Sequence, residues 1–496
     1  MLLSAKQDWL GNIRGDILAG IVVAIALIPE AIAFSIIAGV DPKVGLYASF
    51  AIAVIIAITG GRAGMISAAT AATALLMVTL VKDYGLQYLL IATILAGVLQ
   101  VVAGYLNWHK FMSFVSKSVM TGFLNALAIL IFMAQLPELT NVTWQTYALT
   151  VAGLGIIYLF PYVPVLGKFL PSPLVTIIAL TVFVYFMGFD VRTIGDMGQL
   201  PDTLPIFLWP DVPLNFETLT IVLPYSLSIA VVGLLESLMT ANVIDELTDS
   251  ESDKKRECKG QGLANIGSGL LGGMAGCAMV GQSIINVKSG GRGRLSAMAS
   301  GVVLLILVVF LGDLLSLVPM AALVAVMIMV SIGTFKWTSI KDLKTNPTSA
   351  TTVMIATVIV VVWTHNLALG VFTGILIGSL FMAQRLSQFM YIDSSYDEAS
   401  DTRTYNVVGQ IFFNSSDKFM ALFDYKEAVD NIIIDVHRAH FWDITAVTAL
   451  DKVVIKLRRE GADVSIVGLN DASETLLDKF AVYDKPDQID KIMGGH

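Results

Sequence analysis

Residues 220–244 read TIVLPYSLSIAVVGLLESLMTANVI, and Glu236 is the one charge in that run. The stretch is long enough to cross a bilayer as a helix. A charge at bilayer depth costs roughly 2.5–3.5 kcal/mol on insertion scales, so an acid there marks a pathway or a coupling site. Residues 20–40, GIVVAIALIPEAIAFSIIAGV, repeat the pattern with Glu30. Two acids inside apolar spans point to transport.

The rest of the chain agrees with a membrane setting. Of 496 residues, 56% are hydrophobic and 14% charged, against about 25% charged in soluble domains. Residues 1–390 form a series of apolar runs, which we take as the membrane domain. Residues 391–403 are expected to be a linker. Residues 404–496 are rich in Asp, Glu, Lys and Arg and read as a soluble domain of about 100 residues, a normal domain size. The net charge of −8 comes largely from that tail and one acidic loop. Cys258 and Cys277 make no disulfide framework and lack metal-ligand spacing. No cleavable signal peptide is expected, because the first apolar run begins after Asp16 and is too long. No phosphate-binding GxxxxGK[ST] loop occurs, so ATP does not drive the chain directly. No catalytic constellation is expected, and the chain does not read as an enzyme or as needing a cofactor.

Apolar runs of about 17–25 residues mark candidate spans. They are 17–37, 43–59, 65–81, 86–106, 113–136, 146–162, 173–189, 218–243, 259–275, 278–290, 296–312, 316–332, 350–364 and 367–384. The tenth is short and poorly apolar. One side of the bilayer then holds Lys6, Arg14, Arg62, Lys110, Lys117, Lys168, Lys254, Lys255, Arg256, Lys259, Arg292, Arg294, Lys336, Lys341, Lys344 and Arg385; the other holds Lys43, Lys82 and Arg192. By the positive-inside rule the crowded side, both termini and the soluble domain are cytoplasmic. The acidic loop 190–217 faces out. Lys254-Lys255-Arg256 is read as an orientation marker and not as a nucleic-acid patch. The expected location is the cell's inner (plasma) membrane.

Two spans are interrupted. The third, 65–81, reads MISAATAATALLMVTLV and opens on small and hydroxyl-bearing residues. The third of the second seven, 270–287, reads LLGGMAGCAMVGQSIINV and is broken by Gly272, Gly273, Gly276 and Gly281. Paired weak segments at matching places in two halves point to an inverted-repeat transporter and its site. A helix starting at mid-membrane leaves its first N–H groups unpaired. Those groups and the helix dipole make an anion site without a basic side chain. Read singly, either segment only permits tight helix packing; the symmetric placement, with Glu236 in an earlier span, favours a site.

The stretches GDILAGIVVAIALIPEAIAFSIIAGVDPKVGLYASF (15–50), GLLESLMTANVIDELT (233–248) and KGQGLANIGSGLLGGMAGCAMVGQSIINVKSGGR (259–292) resemble the SulP (sulfate permease) family of anion transporters. The resemblance runs over nearly the whole chain. It implies fourteen helices in two inverted seven-helix repeats, a core domain moving like an elevator against a gate domain, a cytoplasmic α/β STAS domain and a homodimer. It places the pocket between the third and tenth helices. Its positions here are Glu30 and Phe34 on the first helix, Ala69 and Thr70 at the third, and Ala278, Met279, Val280, Gly281 and Gln282 on the tenth. Glu236 and Thr240 on the eighth would carry ion coupling, with Thr70 and Glu30. Glu236 and Thr240 are four apart and share a helix face.

Three departures from the family pattern matter. Many relatives carry Gln where Glu30 stands, and a second carboxylate repels an anion unless neutralised. Some carry an Arg near Gln282; none is here, so helix N-termini must hold the anion. Sodium-coupled bicarbonate members are similar at Thr70, Glu236 (an Asp there) and Thr240, but use a Thr where Val280 stands. Proton and sodium coupling both stay open, the latter with a sodium site at Thr70, Glu236 and Thr240.

In the tail, TYNVVGQIFFN, NIIIDVHRA and DVSIVGL read as strands, and 418–430 and 446–459 as helices, a β/α alternation. It resembles a STAS domain. Thr445 in the turn Asp443-Ile444-Thr445-Ala446 stands at the family's phosphoacceptor-like place; an ordinary helix-capping turn is the other reading. His437 and His440 lack the further ligands of a metal site.

The leading expectation is a secondary active transporter of a small inorganic anion of the bicarbonate or sulfate class, coupled to protons or sodium. An uncoupled exchanger or channel, a dicarboxylate transporter, a nucleobase permease and a membrane-anchored sensor are the alternatives. The lack of a basic side chain in the pocket leans towards a small monovalent anion such as bicarbonate.

Overall fold

The computed structural model describes residues 8–163, 171–213, 215–427 and 429–485. Lys6 and Lys168 of the orientation count, and the tail from 486, lie outside the described residues. The chain divides into two compact units, Met1–Ile375 and Leu376–His496. The division falls inside the last apolar helix, before the boundary expected at residue 390.

Each expected span falls on a helix. In chain order these are α1 (Ile13–Ala38), α2 (Pro42–Thr59), α3 (Ala71–Tyr84), α4 (Leu86–Tyr105), α5 (Lys117–Gln135), α6 (Trp144–Leu159) and α7 (Ser172–Met187). The second set is α8 (Phe216–Thr248), α9 (Lys254–Leu270), α10 (Val280–Lys288), α11 (Arg294–Ser316), α12 (Met320–Thr334), α13 (Thr348–Thr364) and α14 (Leu367–Gln388). Among the described residues, 8 helices are long and apolar enough to cross a membrane.

Helices α3 and α10 differ from the rest in how they begin. At 1.5 Å per residue they are about 21 Å and about 14 Å long, the two shortest of the fourteen and short of the ~30 Å hydrocarbon core. Each is preceded by a three-residue strand, β1 (Ser67–Ala69) before α3 and β2 (Gly276–Ala278) before α10. The strands pair antiparallel, Ser67 opposite Ala278 and Ala69 opposite Gly276. The pairing satisfies backbone groups that lipid could not. Gly276 has no alternative, since a Cβ there would run into the Ala68 carbonyl.

Packing sorts the helices of the first unit into two groups, α1–α4 with α8–α11, and α5–α7 with α12 and α13. The sorting is symmetric. Helix α4 packs on α9 as α11 packs on α2, α1 on α11 as α8 on α4, and α6 on α12 as α13 on α5. Adding seven to one helix number and subtracting seven from its partner's interconverts each pair, the mark of two inverted repeats. The α4–α9 contact depends on Gly97 and Gly262, where a Cβ on either would lie 2.5 Å from the other's carbonyl oxygen. Small residues at such a crossing let helices approach closely in lipid.

The second unit carries a four-stranded sheet in the order β3-β4-β5-β6. Strand β3 (Tyr391–Asp397) is antiparallel to β4 (Thr402–Ile411). Strands β5 (Asn431–Phe441) and β6 (Asp463–Val467) continue parallel to β4. Helices α15 (Ser416–Ala421), α16 (Ile444–Arg459) and α17 (Asp471–Phe480) complete it. The expected linker 391–403 is therefore corrected: it is strand β3 and the turn into β4. Nearly every β3 side chain is exposed, so no apolar alternation marks it. The helix expected over 418–430 stops at Ala421; Asp424 turns the chain by accepting the Lys426 N–H at 3.0 Å.

Candidate functional site

The two short helices begin beside each other because β1 and β2 pair. The ladder of α3 opens with Ala74 N to Thr70 O at 3.0 Å, and that of α10 with Ser283 N to Met279 O at 3.0 Å. The N–H groups of the first turns, at Ala71–Thr73 and Val280–Gln282, lie ahead of those bonds. Neither Thr70 nor Met279 caps its helix with a side chain. A Cβ built on Gly281 meets nothing within 4 Å, so open space borders the first turn of α10.

Strand β2 is fixed from two sides. On α9, Gln261 Nε2 donates to Gly276 O at 3.0 Å, and Asn265 Oδ1 accepts the Gly276 N–H at 2.9 Å. On α8, Ser237 Oγ accepts the Ala278 N–H at 3.1 Å. Gln100 of α4 joins the set by accepting from Asn265 Nδ2 at 2.8 Å. These partners stand in for the solvent that a strand inside a bilayer lacks.

The two acids are both engaged, on different helices. Glu30 Oε1 accepts from Gln282 Nε2 in the first turn of α10 at 2.7 Å. Glu236 Oε2 accepts from Cys277 Sγ at 2.9 Å, and that sulfur lies 3.1 Å from Thr70 Oγ1 at the start of α3. Helices α1 and α8 are repeat equivalents, as are α10 and α3. Glu30 thus addresses the first turn of the short helix in the opposite repeat, whereas Glu236 bonds Cys277 of β2 in its own repeat and reaches Thr70, before α3, only through that sulfur.

The remaining expected residues are placed as follows. Phe34 is buried one turn beyond Glu30, and Ala69 and Ala278 are buried in the paired strands. Met279 and Val280 are half-buried and Gly281 is exposed. Thr240 is fully buried, and its hydroxyl donates to Glu236 O at 2.8 Å and Ala278 O at 3.3 Å. It does not stand beside the Glu236 carboxyl as an open ligand. The Thr70 hydroxyl is taken by Cys277 and by Thr73 at 3.0 Å. A sodium ion would have to displace these bonds and would find no side-chain oxygen at Val280, so the residues fit a cation poorly.

A cavity of about 880 Å³ lies along the C-terminal half of α1. Ala33, Leu75, Met133, Glu138, Tyr225 and Asn366 line it, from both helix groups. Ala33 is one turn from Glu30 and Leu75 one turn from Ala71.

Sequence reasoning missed Cys277, Ser237, Gln261, Asn265 and Gln100. The signal was present: Gln261 and Asn265 lie four apart within an expected span, and the bilayer cost that singled out Glu236 applies to them in lesser degree. It also missed Glu257, fully buried at the start of α9, whose Oε2 accepts the Gly61 N–H at 2.8 Å. Nearby, Arg294 is 6% exposed and donates to Ala57 O at 3.1 Å and Gly60 O at 2.8 Å, closing the C-terminal end of α2.

In the second unit Thr445 is exposed in the first turn of α16. Asp443 caps that helix by accepting the Ala446 N–H at 2.8 Å. His437 and His440 point to separate partners, Asp435 at 2.8 Å and Asn470 at 3.0 Å. The His437 backbone N–H holds the Asp435 carboxyl below the usual carboxylate range.

Comparison with known proteins places the chain. The model of the sulfate permease family matches residues 13–152 and 138–357, and that of the STAS domain matches 393–492. The chain belongs to the sulfate permease family. It is 53% identical over 476 residues to YbaR of Bacillus subtilis (strain 168), a protein named for sulfate transport, covering 96% of this chain and 98% of that one. It is 23% identical over 526 residues to the bicarbonate transporter BicA of Picosynechococcus sp., covering 95% and 91%. The solved structure of SLC26A9 matches with a TM-score of 0.82 at 15% identity, covering 96% of this chain and 87% of that one. The transmembrane domain of a cyanobacterial BicA matches with a TM-score of 0.63 at 24% identity, covering 74% and 97%. This sulfate permease family member is therefore a multi-pass α-helical membrane protein with a C-terminal STAS domain, of a family of anion transporters and not of enzymes.

Proposed function

We propose that the chain is a proton-coupled importer of a small oxyanion, of the bicarbonate or sulfate class. The observation that carries this reading is the placement of the two acids at the paired starts of the short helices, Glu30 bonded to Gln282 in the first turn of α10 and Glu236 bonded to Cys277, whose sulfur lies 3.1 Å from Thr70 Oγ1. An anion held by the free N–H groups of Ala71–Thr73 and Val280–Gln282 would lie close to both carboxyls. Its entry is favourable when an acid is neutral and opposed when both are charged. Proton uptake at Glu236 then accompanies anion binding, and release of one promotes release of the other. The engaged hydroxyls of Thr70 and Thr240 favour a proton over sodium in this role.

Fourteen crossings, cytoplasmic termini, an inner-membrane location and a homodimer complete the proposal. The two helix groups form the core and gate of an elevator, and the cavity beside Ala33 and Leu75 is the entry route from outside. Sulfate is supported by the likeness to YbaR and bicarbonate by that to BicA and by the absence of a basic residue among the candidate positions.

Purified protein in liposomes, assayed with labelled bicarbonate and labelled sulfate under imposed proton or sodium gradients, tests this. Accumulation of one anion driven by an inward proton gradient, and abolished by a protonophore, is expected. Accumulation that follows sodium alone, or mere equilibration, overturns it.

A further inference from the structure

We propose that Cys277 is a positioning residue that passes the protonation state of Glu236 to the Thr70 hydroxyl at the start of α3. The proposal rests on the reading above that Glu236 takes up the coupling proton. Cys277 is fully buried in the middle of β2 and is flanked by Glu236 Oε2 at 2.9 Å and Thr70 Oγ1 at 3.1 Å.

The bond directions follow from what each group can do. An ionised carboxylate only accepts, whereas a thiol has one proton and a weakly accepting sulfur. With Glu236 ionised, the Cys277 S–H donates to Oε2. The sulfur can then only accept, and the relay requires the Thr70 O–H to point to it and not to Thr73 Oγ1 at 3.0 Å. A proton arriving on Oε2 makes that oxygen a donor towards sulfur. The S–H must then turn to Thr70 Oγ1, and the Thr70 O–H is released. It is released beside the free N–H groups of Ala71–Thr73, with Thr73 Oγ1 at 3.0 Å as its acceptor until an anion takes the bond. Only hydrogen bonds exchange, and the arriving proton stays on Glu236. The sign is that of symport, since proton uptake adds a donor to the anion site.

Neighbouring polar groups leave this path to Cys277. On α9, Glu257 is held by the Gly61 N–H, and Gln261 and Asn265 bond Gly276. On α1, Glu30 is bonded to Gln282 of α10. On α4, Gln100 bonds Asn265 and Ala230. On α3, Thr73 donates to Ala275 O at 2.8 Å, with Thr70 within reach. Among the described residues Cys277 is the titratable side chain hydrogen-bonded to Glu236. The competing explanation is that the thiol only fills space between α8 and α3, in which case a methyl group serves as well.

The test measures KM for labelled sulfate and labelled bicarbonate at a series of pH values in proteoliposomes, with wild type, Cys277→Ser and Cys277→Ala. The wild-type KM should fall as pH falls, and Cys277→Ser, which can both donate and accept, should keep that dependence. Cys277→Ala should flatten it by about fivefold, the value of one hydrogen bond. Unaltered pH dependence in Cys277→Ala overturns the relay and leaves proton coupling standing. A wild type that transports neither anion, or whose KM ignores pH, overturns the coupling reading and the relay with it. Should Cys277→Ala fail to fold, the infrared S–H stretching band, assigned by difference from Cys277→Ser, decides. A band that moves over the pH range of the transport profile supports the relay; a stationary band overturns it.

Discussion

Gln282 Nε2 and Glu30 Oε1 are 2.7 Å apart, and this one bond ties the middle of α1 to the first turn of α10. It gives a use to the acid that departs from the family pattern. It also means that Glu30 and Gln282 are best altered as a pair.

Gln282→Leu would leave a carboxyl without its donor, at a penalty of roughly 1–3 kcal/mol. We expect anion uptake in proteoliposomes to fall by about tenfold or more. Glu30→Gln keeps an amide-to-amide bond and should lose less than about threefold at saturating anion. Equal losses in the two variants would count against a bonded pair.

Gly281 and Gly276 make a second contrast. A methyl on Gly281 enters open space, whereas one on Gly276 collides with the Ala68 carbonyl. Gly281→Ala should fold normally by size-exclusion chromatography and raise the anion KM by screening the first turn of α10. Gly276→Ala should break the β1–β2 pair and yield little folded protein. Unchanged KM in Gly281→Ala would remove that turn from the anion site.

Much of this was legible in the sequence, for physical reasons that differ by region. The spans are legible because lipid demands apolar helices, and each expected interval overlaps a helix, 8 of them long and apolar enough to cross a membrane among the described residues. The breaks before α3 and α10 are legible because only small residues allow paired strands there, as at Gly276. Cys277, Gln261 and Asn265 were not legible as partners, because their bonds depend on a strand that exists only once both repeats have met. The four-residue spacing of Thr240 from Glu236 sets a shared face and does not say that the hydroxyl turns back to the backbone. Strand β3 escaped because an exposed edge strand has no buried face to leave a pattern.

The STAS unit offers a prediction independent of transport. Asp451 in α16 is buried and accepts the N–H groups of Val482 at 2.9 Å and Tyr483 at 3.0 Å. Burial pushes its carboxyl above the usual range. Its contribution to stability is thus full below the unfolded value of about 3.9 and is lost as pH rises through the raised folded value. Asp451→Asn keeps the acceptor and cannot ionise. Hydrogen exchange at Val482 and Tyr483 in the whole protein, corrected for intrinsic rate, should show wild-type protection declining from acid towards neutral pH. The variant should lack that decline, and a variant that follows the wild type would show that ionisation of Asp451 is not its cause.

The central claim is that Glu236 carries the coupling proton, and Glu236→Gln in proteoliposomes tests it most directly. The variant should lose accumulation driven by an inward proton gradient while retaining exchange of labelled for unlabelled anion across the membrane. Proton-driven accumulation at the wild-type level in Glu236→Gln would contradict the account.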